Sequence, residues 1–326
     1  MAENDKAVLV LDPLPADIEQ EIGRRFHVLR AYEGDLKSII DQHRDGIVAL
    51  TSRGKTTIDD SLLAMLPALR IVTAYGVGYD RIDAAAAARR GIMVTNTPDV
   101  LNADVADLAV ALLLATLRRL PQADRFVRDG SWMKGAFPLT PTLRNRTIGL
   151  VGMGRIGQEI AKRLAAFDVE VVYHSRNRVH DVSYPHYPAL MEMARNVDTM
   201  IVIVPGGKAT EKLINADVLA TLGTNGVFVN VARGNVVDQA ALIQALRDGT
   251  ILAAGLDVYD GEPSVPAELT AMENVVLLPH IGSGTSETRR AMGRLFLNNL
   301  FGWFETGAAV TPVRECAAVG KLTSRR

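Results

Sequence analysis

The stretch TIGLVGMGRIGQEIAKRLAAFDVEVVYH, residues 147 to 174, decides how this chain folds. It reads as a strand, a glycine-rich turn, an amphipathic helix and a second strand. Gly152, Gly154 and Gly157 stand in the spacing G-x-G-x-x-G, and each glycine has a task. Gly152 permits the tight turn off the strand, Gly154 lets the backbone approach a pyrophosphate, and Gly157 lets the helix pack on the sheet. The helix start offers unpaired N–H groups and a positive dipole end to phosphates. The spacing alone is weak evidence. Between a strand and a helix that leads into another strand, it predicts a dinucleotide site.

The second strand runs into HSRNR, residues 174 to 178. An acidic residue is expected here, hydrogen-bonded to the adenosine ribose, and a carboxylate would repel a 2′-phosphate. No acid stands between Val171 and His180. Arg176 and Arg178 offer guanidinium forks that match phosphate geometry, and Ser175 and Asn177 add hydrogen-bonding groups. A hydrogen bond to a charged group is worth about 1.5–3 kcal/mol. Two of them favour NADP over NAD by about 10²-fold or more, so the expected coenzyme is NADP(H).

Outward from this unit, strands and helices alternate along the whole chain. AVLVL, GIVAL, RIVTAY and IMVTN are strand-like runs in the first hundred residues, separated by helical patterns. TMIVIV, GVFVNV, ILAAGL and NVVLLP follow the glycine-rich unit. Apolar strands alternating with helices predict parallel sheets covered on both faces. With 326 residues, two domains are expected. The predicted fold class is α/β with two doubly wound parallel sheets. A Rossmann coenzyme domain over 101–286 is inserted in a flavodoxin-like substrate domain made of 1–100 and 287–326. The active site is expected in the cleft between them, where closure would exclude water. The helix NADVADLAVALLLATLRRL is apolar nearly all round and needs cover on both sides. A wedge between domains or a contact with a second subunit would supply it.

Bulk numbers narrow the class. Net charge is -1 with no run of Lys and Arg, which argues against nucleic acid as a partner. The longest apolar stretch, 108–117, is far short of the ~20 residues a membrane span needs. The single cysteine, Cys316, forms no internal disulfide and suits a reducing compartment. The N-terminal MAENDKAVLVLDPLP reads as a first strand rather than a signal peptide, so a cytoplasmic protein is expected. No H-E-x-x-H or paired C-x-x-C motif is present, so no metal is expected. His180 and His186 read as solvated loop residues.

Three further stretches place polar groups just past strand ends, where parallel sheets present ligands. VFVNVARG delivers Arg233, AGLDVYDGEP delivers Asp257 and Glu262, and VVLLPHIGSG delivers His280. An Arg, a Glu and a His so placed suit hydride chemistry on a 2-keto acid. The cation clamps the carboxylate and polarises the ketone, and the histidine donates a proton to the oxygen. The glutamate orients the imidazole and favours its protonated form. Each residue alone has a structural explanation; three together make the catalytic one the better.

These motifs resemble the D-isomer-specific 2-hydroxyacid dehydrogenases. GMGRIG, NVARGNVVD, GLDVYDGEP and LLPHIGSGT are similar to that family's motifs in its order, and YGVGYDRID and TPDVLNADVADLA match it nearer the N-terminus. HSRNR and PLTPTL look most like the glyoxylate/hydroxypyruvate reductase branch. The resemblance implies Arg233 as substrate binder, Glu262 as histidine partner and His280 as proton donor. It implies that the backbone amides of Val77 and Gly78 hold the substrate carboxylate, which two glycines forming an anion-binding turn would suit. It implies coenzyme contacts from Gly154, Arg155, Ile156 and Gly157, from Ser175 to Asn177, and from Pro205, Thr210, Val231, Ala232, Arg233, Asp257 and Gly282. Gly206 and Gly207 stand where many members have Leu-Thr. Trp132 is expected to reach the active site of a partner subunit in a homodimer.

The expected reaction is NADPH-dependent reduction of glyoxylate or hydroxypyruvate to the D-hydroxy acid. A larger 2-keto acid such as phenylpyruvate is the alternative substrate, and a catalytically idle dinucleotide-sensing regulator the alternative class. A phosphoglycerate dehydrogenase is disfavoured because many members carry an added regulatory domain. A formate dehydrogenase would not need the His–Glu pair.

Overall fold

The computed structural model describes residues 6–320. The chain divides at Val100/Leu101 and again at Thr285/Ser286 into two compact units, the first and last segments forming unit 1 and Leu101–Thr285 forming unit 2.

Unit 1 holds β1 (Ala7–Val10), α1 (Ala16–Gly23), β2 (His27–Arg30), α2 (Leu36–His43), β3 (Ile47–Ser52), α3 (Asp60–Ala64), β4 (Ile71–Ala74), α4 (Ala84–Arg89) and β5 (Met93–Thr95). Its sheet has the order β2-β1-β3-β4-β5, all parallel, the flavodoxin-like arrangement. β1, β3 and β4 are buried along their whole length, as strands covered on both faces must be. Asp35, Asp59 and Asp83 cap α2, α3 and α4 by accepting from Ser38, Leu62 and Ala86 N–H.

Unit 2 holds α5 (Asn102–Arg118), α6 (Leu120–Arg128), β6 (Thr147–Val151), α7 (Arg155–Leu164), β7 (Glu170–His174), β8 (His186–Tyr187), α8 (Leu190–Arg195), β9 (Thr199–Val202), α9 (Ala216–Leu222), β10 (Val227–Asn230), α10 (Gln239–Arg247), β11 (Ala253–Leu256), α11 (Ala267–Ala271) and β12 (Val275–Leu277). Its seven strands are parallel in the order β12-β11-β10-β9-β6-β7-β8. Strand order reverses beside β6, so the glycine-rich turn sits at the topological switch point. The fold is the predicted one, two doubly wound parallel sheets.

The long helix α12 (Ser286–Thr306) returns the chain to unit 1, where it packs against β4 and α1. Within its own unit α5 lies against α7 and against β10, β11 and β12. Gly255 in β11 permits this approach, since a Cβ there would stand 2.4 Å from Thr116 Oγ1 and 2.8 Å from Leu112 Cγ.

Two strands escaped the sequence reading. β2 (HVLR) is an edge strand with one buried residue, and β8 has two residues. Neither is apolar enough to announce itself. His186 is therefore no solvated loop residue: it lies in β8, its ring 5.0 Å from that of Tyr173 and its Nε2 3.0 Å from Ser175 O. Among the described residues no helix is long and apolar enough to cross a membrane, and no cluster of His, Cys, Asp and Glu could hold a metal ion.

Candidate active site

The turn between β6 and α7 has the shape a dinucleotide requires. Gly152 has φ 110°, and a Cβ there would stand 2.5 Å from Ile203 O. A Cβ on Gly157 would stand 2.3 Å from Gly152 O, so the first turn of α7 rests directly on the turn that precedes it. Gly154 faces open space and is the N-cap of α7 without a side-chain cap. Backbone N–H groups and a helix dipole thus meet an unobstructed surface, which suits a pyrophosphate.

Beyond β7, Ser175 Oγ donates to Asn177 O at 2.6 Å and tightens the HSRNR turn. Arg176, Asn177 and Arg178 are exposed, and neither arginine has an ion-pair partner among the described residues. The turn can therefore present both guanidinium groups to a phosphate.

Arg233, Glu262 and His280 follow β10, β11 and β12, three adjacent strands. His280 Nδ1 is 2.7 Å from Glu262 Oε2. An ionised carboxylate only accepts, so the Nδ1–H donates and Nε2 is the ring nitrogen left for another partner. Glu262 Oε1 accepts the Tyr259 N–H at 2.9 Å. Burial pushes the Glu262 carboxyl up, but the His280 hydrogen bond, the Tyr259 amide and the charges of His280 and Arg233 outweigh it and hold it below its ordinary value. The charge of Arg233 is therefore felt at Glu262.

The backbone of His280 is left-handed, with φ 54°, a conformation that costs a non-glycine residue roughly 1–2 kcal/mol. Asp257 holds it there. The His280 N–H donates to Asp257 O at 2.8 Å, and the carboxylate accepts the N–H groups of Ile281 and Gly282 at 2.8 and 2.9 Å. Asp257 is only 2% exposed. Burial pushes its carboxyl up, against the two amides and the His280 charge, which pull it down. A side chain read as a coenzyme contact is thus engaged in building the histidine turn.

Thr210, also read as a coenzyme contact, donates its hydroxyl to Pro205 O at 2.7 Å and shapes the loop containing Gly206 and Gly207. Val231 and Ala232 are buried beside Arg233, and Gly282 is buried against Asp257 and Val105.

In unit 1, Val77 and Gly78 lie in the turn beyond β4. Asn96 Nδ2 donates to Val77 O at 2.8 Å. The Val77 and Gly78 N–H groups donate to nothing among the described residues, as an anion-binding turn requires.

A family model, the NAD binding domain of D-isomer specific 2-hydroxyacid dehydrogenase, matches residues 110–282. The chain is 44% identical over 307 residues to glyoxylate/hydroxypyruvate reductase A HPR2 of Arabidopsis thaliana, covering 94% of this chain and 98% of the relative. The chain belongs to the D-isomer-specific 2-hydroxyacid dehydrogenases. Hydroxyphenylpyruvate reductase of Plectranthus scutellarioides is 40% identical, with 94% of this chain and 98% of the relative covered. The solved structure of the NADPH-dependent glyoxylate/hydroxypyruvate reductase SmGhrB from Sinorhizobium meliloti, in complex with NADP and malonate, is 45% identical. It superposes with a TM-score of 0.88 over 96% of this chain and 98% of that one.

This dehydrogenase also uses residues the sequence reading passed over. Asn230, 1% exposed, accepts the Ala232 N–H and donates to Arg233 O, both at 3.0 Å, and so fixes the backbone that carries Arg233. The Tyr259 hydroxyl, pushed up to about 12 first by burial and then by Asp257, ties Leu256 O and Leu278 O together at 3.1 and 2.8 Å. A Cβ on Gly234 would stand 1.8 Å from Tyr259 C, so the Arg233 turn is pressed against the loop that carries Glu262. Asn230 and Gly234 both lie inside NVARGN, and a polar residue ending an apolar strand was the available signal. Trp132 lies in a short turn, Ser131–Met133, and is 67% exposed.

Proposed function

We propose that this dehydrogenase reduces a small 2-keto acid, glyoxylate or hydroxypyruvate, to the D-2-hydroxy acid with NADPH. The observation that carries the reading is the 2.7 Å contact between His280 Nδ1 and Glu262 Oε2 in reach of the Arg233 charge. NADPH, when bound, supplies the hydride that reduces the carbonyl carbon. His280 donates a proton from Nε2 to the carbonyl oxygen, and Glu262 stabilises the imidazolium and keeps its ring oriented. Arg233 is the group of unit 2 that clamps a carboxylate and polarises the ketone, and the Val77 and Gly78 amides are the carboxylate-binding groups of unit 1. In this reading unit 2 is the coenzyme domain, with Gly152, Gly154, Arg155, Ile156 and Gly157 at the pyrophosphate and Ser175 to Arg178 at the 2′-phosphate. Unit 1 is the substrate domain.

The choice of NADPH and of small acids is supported by the exposed arginines and by the names of the reductases to which the chain is similar. The hydroxyphenylpyruvate reductase relative favours a second reading, in which the preferred acid carries an aromatic group. A homodimer is part of the proposal: exposed Trp132, Met133 and Leu139 form an apolar stretch that a second copy would cover.

Initial rates with purified protein test this. NADPH and NADH are each paired with glyoxylate, hydroxypyruvate and phenylpyruvate. Turnover of the small acids with NADPH is expected. Equal rates with NADH would overturn the reading of Arg176 and Arg178, and faster turnover of phenylpyruvate would favour the second reading.

A further inference from the structure

The carboxyl edge of the unit 1 sheet carries two arginines that the reaction just described does not use. Arg53 follows β3 and Tyr75 follows β4; the Tyr75 N–H donates to Ser52 O at 2.8 Å, which sets the two side by side. The backbone of Arg53 is fixed by buried Asp12, whose carboxylate accepts the N–H groups of Arg53 and Lys55 at 2.8 and 3.3 Å and the Thr56 hydroxyl at 2.8 Å. The guanidinium is held as well. Its Nη1 donates to Pro13 O at 2.9 Å, and its Cζ lies 5.8 Å from the centroid of the Tyr75 ring.

Arg289, in the first turn of α12, flanks the same tyrosine. The Tyr75 hydroxyl donates to Arg289 O at 3.0 Å. Burial lowers the pKa of the Arg289 guanidinium, and the charge of Arg53 lowers it further against the influence of Tyr75. The next residue, Arg290, pairs with Glu287 at 3.1 Å, but neither Arg53 nor Arg289 pairs with a carboxylate among the described residues. Asp17 acts on Tyr75 without forming an ion pair with either arginine. The charge of Arg53 is thus felt at Arg289, and no carboxylate among the described residues is ion-paired with either of them. Two and three residues beyond Tyr75, at most about 7 and 11 Å of extended chain, stand the undonated amides of Val77 and Gly78.

We propose that Arg53, with Arg289 beside it, determines specificity by binding a second anionic group of the 2-keto acid, a distal carboxylate or phosphate. This rests on the reading in which the Val77 and Gly78 amides hold the first carboxylate. A guanidinium fork matches either anion, and a second negative charge relieves the mutual repulsion of the pair. Glyoxylate engages the amides and leaves the arginines unanswered. A dianionic acid engages both.

The test is a ratio measured on one preparation, so that loss of folded protein cancels. The value of kcat/KM for ketomalonate, oxaloacetate and 3-phosphohydroxypyruvate is divided by that for glyoxylate, in the wild type, Arg53→Leu and Arg53→Lys. In Arg53→Leu the ratio should fall about ten- to hundredfold for at least one dianionic acid, and Arg53→Lys should restore part of it. A fall confined to the carboxylates or to the phosphate identifies which anion the pair takes. A ratio within about twofold of wild type for all three overturns the proposal. Thermal shift by ketomalonate separates this proposal from the reductase reading. If no acid turns over, a ketomalonate shift present in wild type and lost in Arg53→Leu would sustain the arginine site while the reductase reading falls, and an unchanged or absent shift would overturn both.

Discussion

Gly234→Ala should damage this enzyme through backbone contact alone. The added Cβ would stand 1.8 Å from Tyr259 C, 2.0 Å from Tyr259 O and 2.2 Å from Asp260 N. Ordinary van der Waals contact begins at 3.4 Å, so going from 1.8 to 3.4 Å separates the two segments by about 1.6 Å. Neither side can yield cheaply. Asn230 anchors Arg233 from one direction, and Tyr259 is tied to Leu256 and Leu278 from the other. Overpacking of this kind costs roughly 1–3 kcal/mol, a fall in Tm of about 2–12 °C for a unit of this size. The shift also parts the Arg233 turn from the loop carrying Glu262 and hence from His280. A misplacement of about 1 Å can cost 10²-fold in rate, so kcat/KM should fall by about that factor. Differential scanning calorimetry and glyoxylate kinetics would measure both, with Gly135→Ala as the control because a Cβ there meets nothing within 4 Å. A Gly234→Ala enzyme with wild-type Tm and kcat/KM would refute the idea that this contact registers the Arg and Glu loops.

Three other outcomes follow from the same geometry. Glu262→Gln should lower kcat about ten- to hundredfold, the worth of one hydrogen bond to a charged partner, as single-turnover reduction would show. Because the Glu262 carboxyl is held below its ordinary value, its stabilising effect is present above the usual carboxylate range and lost as pH falls through the depressed value. The Tm difference between wild type and Glu262→Gln should therefore shrink on acidification, and a difference that grows would refute the assignment. Asp257→Asn places an NH2 group opposite either the Ile281 or the Gly282 N–H; it should reduce kcat without a comparable rise in the NADPH dissociation constant, and the reverse pattern would mark Asp257 as chiefly a coenzyme contact. Replacing Arg176 and Arg178 together by Ser should raise the KM for NADPH about tenfold or more while leaving that for NADH nearly unchanged, and a parallel rise in both would show the arginines to be indifferent to the 2′-phosphate.

Much of the site was legible because its parts are local. Each glycine of the 152–157 turn has a task set by its immediate neighbours, and Arg233, Glu262 and His280 announce themselves as polar residues ending apolar runs. What escaped was decided at a distance. β2 and β8 are edge strands, short and half-polar, with no periodicity to read. Asp257 looks in sequence like one more polar residue at a strand end, yet its carboxylate accepts from amides twenty-four and twenty-five residues onward. Asn230 and Tyr259 work through carbonyls and amides that carry no side-chain signature.

By itself the sequence determined the two parallel-sheet units, the glycine turn, the acid-free stretch after β7 and the identity of the three polar residues, since all of these follow from local periodicity and residue chemistry. Only the tertiary structure decided that His280 meets Glu262 at 2.7 Å, that Asp257 holds the histidine turn and that Arg53 and Arg289 share Tyr75. Those contacts join residues brought together by strand order and by the return of α12, and distance along the chain carries no record of them until the sheets have formed.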